Sequence, residues 1–423
     1  MSFGIWHLAP QSPENQWFCQ VSDVKNAQVI KTLGEKLVFG RLFIIMQDKM
    51  LPATNTLPDL LLTVTALAGE LPVPLLSRLP GANSYKEFAL KRLKRDKLLR
   101  TYYSDGLRGL RLTAHAKRLL LATYPDRFLR CFTGDTATNA PKYTVPHRLR
   151  LYRMAEVLVT MLNTDVLVLP WEKPPLFYPS PPPTDINISH PAYYSSREIK
   201  EIGPQAAKIR GSRATGVLLT DGGIFIVYNT ASSPMKWEYR AELRLKALLQ
   251  IEVCQHRLPQ QFAGAELSAI VFGDGMAPME AFMDVGENRM HNYFILDGSI
   301  EHFYYLTNDH RGEAILQLLY NRGLKASLDQ ILSEDLSANK PNWLAENDAI
   351  DDTGNPVLFA YTCDMPRIRR FDTALMLHDL SGTIFCFDFQ SDALRRICSP
   401  RIAIQSIDFD AFERSVCHTE EPS

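Results

Sequence analysis

The stretch from Asn83 to Arg118 constrains the fold most, because charge and hydrophobic period change together within it. Ala89, Leu90 and Leu93 recur at the spacing of one helix face, and most of the basic residues fall on the remaining surface. The period then becomes strand-like on both sides of the turn residues Ser104-Asp105-Gly106. The stretch carries eleven Lys and Arg against three acidic residues, a net charge of +8 in a chain of formal charge −1. It therefore predicts a basic helix, a hairpin and a second helix in one positive field.

The residues around this stretch extend the pattern in both directions. Apolar residues on one face of Leu57–Gly69 predict a first helix. A short second helix is predicted over Pro72–Leu79, because a proline is tolerated in the first turn of a helix. The predicted elements are helices over Leu57–Gly69 and Pro72–Leu79, a basic helix with Asn83 or Ser84 as N-cap, the hairpin, and a helix over Thr113–Tyr124. This order is typical of a winged helix-turn-helix, with the hairpin as its wing.

Concentrated Lys and Arg on such a unit predict binding to double-stranded DNA, because they neutralise phosphates. The start of the basic helix is where base edges or phosphates would be met. The predicted DNA-binding residues are Ser84, Tyr85, Lys86, Lys91, Arg92, Lys94, Arg95, Lys97, Arg100, Arg108, Arg111, Lys117 and Arg118. The competing interpretation is a charged helix face that only contacts solvent.

The remaining charge is distributed unevenly. Residues 331–423 contain sixteen Asp and Glu against eight Lys and Arg. This asymmetry indicates one basic module carried by a neutral-to-acidic body rather than a uniformly basic coat protein. The seven cysteines are widely spaced and form no Cys-x-x-Cys pair, which favours free thiols in a reducing cytoplasm over a zinc site. No secretory signal and no apolar run of roughly 18 residues occurs, so we expect a cytoplasmic protein without a membrane span.

The length predicts several domains. Eight prolines between Pro170 and Pro191 exclude regular structure there and indicate a strap packed on the body or a linker. The predicted division is an N-terminal extension (1–56), the winged helix-turn-helix (57–128), a connecting helix (129–169), the Pro-rich segment (170–192), a nuclease-like α/β domain (193–323) and an acidic C-terminal α/β region (324–423). The predicted fold class is mixed α+β.

Three later segments share an apolar strand, a tight Asp/Gly turn, an aromatic strand and a helix. They begin at Gly216, Tyr293 and Ala374. The pattern predicts either a weak internal repeat or a mixed sheet flanked by helices.

Familiar catalytic motifs are absent from the sequence. It has no Walker loop, no complete dinucleotide fingerprint, no His-Glu-x-x-His and no Gly-x-Ser-x-Gly. No cofactor is predicted.

One arrangement matches the element order of a restriction-nuclease-like core. It consists of a helix with Glu156, a hairpin with Asp221, the strand Ile224–Asn229 and a helix over Glu238–Gln250. Such a core needs an acid on one strand and an acid-x-lysine on the next, to hold magnesium and support the attacking water. The second strand ends in Tyr-Asn-Thr-Ala and supplies neither, although Lys236 or Lys246 could substitute in space. We therefore expect a degenerate core, with a Mg²⁺-dependent nuclease using Glu156 and Asp221 as the alternative.

These residues together resemble the replication-relaxation family, winged-helix proteins encoded beside conjugation and replication genes on bacterial plasmids and integrative elements. The resemblance rests on SYKEFALKRLKRDKLL, on the wing GLRGLRLT and on the helix HRLRLYRMAEVL, and covers about residues 57–250. It implies a DNA-binding protein of a mobile element that acts in replication, transfer or their regulation without catalysis of its own, with relaxase or replication proteins as partners. Family members often carry an acid where this chain has Asn229. A further alternative is a protein-docking adaptor regulated by the acidic C-terminal region.

Overall fold

The structure is a computed structural model that describes residues 51–132, 143–177, 186–199, 211–284, 293–338 and 345–414. Most of the predicted N-terminal extension, residues 1–50, lies outside the described residues. Within the described part the fold is mixed α+β, with strands in three sheets. None of the helices in that part is long and apolar enough to cross a membrane.

The N-terminal unit surrounds a small antiparallel sheet of order β1-β3-β2. Its elements are α1 (Leu57–Ala68), β1 (Leu71–Pro72), a 3₁₀ turn (Val73–Arg78), α2 (Asn83–Arg95), β2 (Leu99–Ser104), β3 (Leu107–Leu112), α3 (Ala114–Thr123) and α4 (Pro125–Phe132). A tight turn joins β2 to β3, with Asp105 at φ 53° and Gly106 at φ 76°. A two-residue hairpin with a type I′ turn requires positive φ at both central residues, so the Asp-Gly pair favours this turn.

Helix boundaries in this unit differ from the predicted ones. The short helix predicted over Pro72–Leu79 is instead the end of β1 followed by the 3₁₀ turn Val73–Arg78. The residue that precedes α2 is Ala82, and no side chain caps the helix, so the expected cap at Asn83 or Ser84 is wrong. Thr113, predicted as helical, instead caps α3 by accepting the backbone N–H of Ala116 at 3.0 Å. Threonine oxygen satisfies a free N–H better before the helix than within it.

The long helix α5 (Val145–Asn163) links this unit to a five-stranded sheet of order β4-β5-β6-β7-β8. Its strands are β4 (Ala192–Ser195), β5 (Gly216–Leu219), β6 (Ile224–Ala231), β7 (Leu267–Gly273) and β8 (Phe303–Thr307). The first three strands are antiparallel neighbours, whereas β6, β7 and β8 are parallel. Carboxyl ends of parallel strands lie at one edge, so residues following β6, β7 and β8 meet there.

Helices flank this sheet and connect its parallel strands. They are α6 (Ser196–Ile199), α7 (Tyr239–Leu249) with a π-helical extension (Gln250–Arg257), α8 (Pro259–Phe262), α9 (Ala277–Met283), α10 (Tyr293–Leu296), α11 (His310–Tyr320) and α12 (Arg322–Leu332). Alternate residues of β6 face opposite apolar clusters, Phe225 and Val227 on one side and Ile226 and Tyr228 on the other. The sheet is therefore buried on both faces.

A third sheet, of order β13-β12-β11-β10-β9, is built from the C-terminal region. It contains β9 (Ser337–Ala338), β10 (Ala349–Ile350), β11 (Pro356–Phe359), β12 (Gly382–Phe387) and β13 (Ile402–Ile407), with helices α13 (Met365–His378), α14 (Asp388–Ile397) and α15 (Phe409–Phe412). The backbone N–H of Tyr305 in β8 donates to the carbonyl of Cys363 at 3.0 Å, which joins the second sheet to this region.

The structure decides between the alternatives that the sequence left open at two places. Leu176, Phe177 and Ile188 of the Pro-rich segment are almost fully buried, so its described residues pack on the body as a strap. Of the two interpretations of the three similar segments, the mixed sheet flanked by helices is confirmed. The segments from Tyr293 and Ala374 begin as helix and only the one from Gly216 begins as strand, so they are not a repeat. Short apolar runs fit a buried helix end as well as a strand.

Candidate nucleic-acid interface

The outer face of α2 is the most prominent basic surface of the N-terminal unit. Its inner face carries Ala89 and Leu93, both nearly fully buried against the unit's core. On the opposite face, the side chains of Lys91, Arg92 and Arg95 are 80%, 52% and 76% exposed. Helical geometry thus separates a packing face from a cationic face.

Two aromatic side chains share this outer face. Tyr85 is 47% and Phe88 60% exposed, while Ser84 is also exposed. Large apolar groups exposed on a charged helix cost free energy that a partner recovers by covering them. This face therefore combines exposed cations with two exposed aromatic rings.

The hairpin adds cations beside the helix. The pKa of Lys94 is lowered first by burial and then by the positive charge of Arg108, which lies nearby. Arg100 is exposed on β2. Burial lowers the pKa of Lys117 on α3, and the charges of Arg197 and then Arg100 add to this shift. Lys97, at φ 56° in the turn between α2 and β2, and Arg118 on α3 are also exposed. The predicted positive field therefore spans helix, hairpin and the following helix.

Two of the thirteen predicted DNA-binding residues are wrong, because they are buried inside the unit. Lys86 is 6% exposed and donates from Nζ to the carbonyl oxygen of Ser77 at 2.9 Å. Arg111 is also 6% exposed and donates from Nη2 to Glu70 at 2.6 Å. A buried cation needs a partner of its own, so neither side chain reaches a phosphate.

Glu70 is the centre of a buried ionic cluster behind the hairpin. Its carboxylate is fully buried and accepts from Arg111 and from Arg148 of α5, each with a shortest N···O distance of 2.6 Å. The hydroxyl of Tyr152 donates to the same carboxylate at 3.2 Å. Burial alone would lower the pKa of Arg148. The hydrogen bonds to Glu70 and the negative charge of Glu70 outweigh burial, so the pKa of Arg148 is raised. Two guanidinium groups thus share one carboxylate in the interior.

Arg148 also fixes the hairpin turn. Its guanidinium donates to the carbonyl oxygens of Ser104 at 2.8 Å and Leu107 at 3.1 Å, on both sides of the turn. Gly109 is required beside the cluster, because a Cβ atom there would lie 2.2 Å from Glu70 Oε1. The cluster therefore sets where the hairpin stands relative to α5.

A second polar cluster lies at the carboxyl ends of β6, β7 and β8. Asn229 donates to Glu156 Oε2 at 2.8 Å, and Asn308 donates to Asp274 Oδ1 at 3.0 Å and to Asn229 Oδ1 at 3.3 Å. Burial raises the pKa of Glu156 to about 7, with the charge of Asp274 adding to the effect and Asn229 and Arg153 opposing it. This carboxyl group therefore titrates near neutral pH.

The structure does not bring Glu156 and Asp221 together. Asp221 lies in the turn before β6, whereas Glu156 contacts Asn229 near the other end of that strand. Five residues of extended chain separate Ile224 from Asn229, or about 16 Å. The expected acid pair is wrong, and the carboxylate near Glu156 is that of Asp274.

No lysine joins this cluster among the contacts of the described residues. Lys246 donates instead to the carbonyl oxygen of Ser299, and Lys236 is exposed. The cations near Glu156 are Arg78 and Arg153. Burial lowers the pKa of Arg153, and the charge of Glu156 opposes this shift. Within the part of the chain that the structure describes, no group of three or more His, Cys, Asp and Glu could hold a metal ion.

Sequence reasoning missed Glu70, Arg148 and Asp274. Asp274 had a visible signal, since it directly follows an apolar strand in Gly-Asp-Gly. Glu70 and Arg148 are 78 residues apart, and no pattern in the sequence signals that they pair.

Comparisons of the chain with models of known protein families, with curated proteins and with solved structures found no match in any of the three.

Proposed function

We propose that the chain is a DNA-binding protein whose N-terminal unit is a winged helix-turn-helix that docks duplex DNA through the outer face of α2 and the β2–β3 hairpin. The element order supports this proposal, because a 3₁₀ turn, a basic helix, a two-stranded hairpin and a further helix follow one another as such a unit requires. The observation that carries it is the outer face of α2, where Lys91, Arg92 and Arg95 are exposed while the inner face is packed.

The eleven remaining predicted residues, all but Lys86 and Arg111, form the proposed interface. Most are cations that would meet phosphates, and Ser84 and Tyr85 lie in the first turn of α2, where a recognition helix reaches base edges. Resemblance to the replication-relaxation family supports a role on a plasmid or conjugative element, in replication, transfer or their regulation, beside a relaxase or replication protein.

Charge reversal tests the DNA contact. Lys91→Glu, Arg92→Glu and Arg95→Glu combined should abolish most DNA binding and lower the slope of log K against log salt by about 3, because three phosphates would no longer be neutralised. Binding is measured by fluorescence anisotropy with random-sequence duplex at several salt concentrations.

A matched control has the same charge change elsewhere. Lys236, Arg240 and Arg244 are exposed near α7, and their triple reversal to Glu should leave the salt slope as in the wild type. Equal loss in both triple variants would mean that net charge, not the α2 face, governs binding. An unchanged affinity in the α2 variant would overturn the proposal.

A magnesium-dependent nuclease is the second candidate. Its support is the pair Glu156 and Asp274 at the carboxyl ends of parallel strands, since carboxylate and amide oxygens are ligands that Mg²⁺ prefers. Against it stands Arg153 where a lysine would be needed. Incubation with supercoiled plasmid and Mg²⁺ or Mn²⁺ separates the two, because a nuclease nicks the plasmid and Glu156→Gln stops the nicking.

An adaptor that docks an acidic protein on α2 is the third candidate. The acidic C-terminal region is a poor internal competitor, because several of its carboxylates already pair locally. Glu346 pairs with Arg367 and Arg370, and Asp348 pairs with Arg367 at 2.7 Å. Loss of DNA binding in the α2 charge variant alone argues against the adaptor.

A further inference from the structure

Phe88 occupies the centre of the outer face of α2. At about 100° per residue, Ser84, Phe88 and Arg95 follow one line along the helix, opposite the buried residues Ala89 and Leu93. Lys91 and Arg92 project on the two sides of that line. The apolar ring is therefore the part of α2 that a ligand aligned with the face would cover first.

The ring has no packing role in the unit that would explain its position. It is 60% exposed, whereas the core of the unit is completed by other side chains of α2. The cations beside it disfavour an apolar self-association surface, because cations outnumber the acidic residues Glu87 and Asp96 that pair with them and two copies would place like charges opposite each other. An anionic partner with a small apolar group between its charges fits both features.

Duplex DNA offers such a group in the major groove. The groove is about 12 Å wide and admits an α-helix, and among the groups on base edges the C5-methyl of thymine is the apolar one. With α2 in the groove, Lys91 and Arg92 would reach the phosphates of the two bordering strands while the ring of Phe88 covers a methyl. The neighbouring Tyr85, one turn earlier, is 47% exposed and lies on the same half of the helix.

We infer that Phe88 is a specificity-determining residue that selects a thymine at one position of the DNA site by contact with its 5-methyl group. This inference rests on the proposed DNA-binding function and names what the interface reads. It does not need a hydrogen bond, since a phenyl ring can only recognise a base through apolar contact.

The test removes the methyl without changing base pairing. A binding site is first selected by the full chain from a random duplex pool, and each thymine in it is then replaced by deoxyuridine. Replacement at one position, or two adjacent ones, should weaken wild-type binding about fourfold per methyl, the effect of exposing one buried methyl-sized group. The same replacement should have no effect on Phe88→Ala.

Two controls separate specificity from folding. Leu377→Ala removes an apolar side chain that is 77% exposed on α13, and it should keep the full deoxyuridine effect. Phe88→Leu keeps an apolar contact and should retain part of it. Thermal denaturation of Phe88→Ala should match that of the wild type, because the ring is mostly exposed.

The outcomes are distinguishable. Absence of any DNA binding would overturn the proposed function and this inference with it. Tight, salt-dependent binding with no thymine position sensitive to methyl removal would overturn the inference alone. So would an equal deoxyuridine effect in the wild type and Phe88→Ala, because another residue would then contact the methyl group.

Discussion

Removing the charge of Glu70 should destabilise the N-terminal unit more than any single surface change. Glu70→Gln preserves the size of the side chain but leaves Arg111 and Arg148 without their common carboxylate. The carboxylate and Arg148 are fully buried and Arg111 is 6% exposed, so water cannot replace the missing partner. Breaking a buried pair from one side costs about 3–5 kcal/mol. That is a large share of the roughly 5–15 kcal/mol typical of a folded domain.

The measurement is urea denaturation followed by hydrogen exchange in native buffer. Because Arg148 also holds the carbonyl oxygens of Ser104 and Leu107, exchange should accelerate first in β2 and β3. Glu87→Gln is the control, since the Lys91–Glu87 pair is 80% and 74% exposed at 4.0 Å and such pairs contribute about 0–1 kcal/mol. A stability of Glu70→Gln within about 1 kcal/mol of the wild type would refute the reasoning, because it would mean that the cluster is not the support of the hairpin.

Two pH-dependent predictions concern the body of the protein. Burial raises the pKa of Glu156 from an ordinary 4.5 to about 7. Between these values the folded state keeps a proton that the unfolded chain loses. The stability of the folded state therefore falls as pH rises from 4.5 to 7, by up to about 3 kcal/mol. Glu156→Gln should flatten this part of the curve of melting temperature against pH, and parallel curves for the two proteins would contradict the assignment. The hydrogen bond of 2.6 Å to Asp364 raises the pKa of His302 above 6.5, so its contribution is complete below that pH and is lost as pH rises through the raised value. Asp364→Asn should therefore shift the NMR titration of His302 to lower pH and destabilise the protein more at pH 6 than at pH 9; an unshifted titration would exclude the pairing.

Local patterns predicted most of the N-terminal unit. Helical spacing of apolar residues located α1, α2 and α3 within a few residues, and the Asp-Gly pair located the hairpin, because both signals act between residues close in the chain. The same dependence on neighbouring residues explains why the sequence suggested a repeat that the structure does not have. Its apolar segments have no period that separates strand from helix, and tertiary contacts made two of them helical.

These local patterns do not predict which charged side chains are buried. Lys86 and Arg111 look like their exposed neighbours in sequence, and only contacts with Ser77 and Glu70 distinguish them. Asp221 and Asp274 each follow an apolar strand. The antiparallel pairing of β5 with β6 places Asp221 at the far end of β6, and the parallel pairing of β7 with β6 brings Asp274 near Glu156.

The sequence by itself determined that a basic helix and hairpin stand in an otherwise neutral-to-acidic chain, because composition and short periods are properties of neighbouring residues. Only the tertiary structure decided which of the cations face outward and how Glu70 and Arg148 set the hairpin. Each of these depends on which distant segments exclude water from a side chain. That is determined by packing of the whole fold and leaves no periodic trace in the sequence.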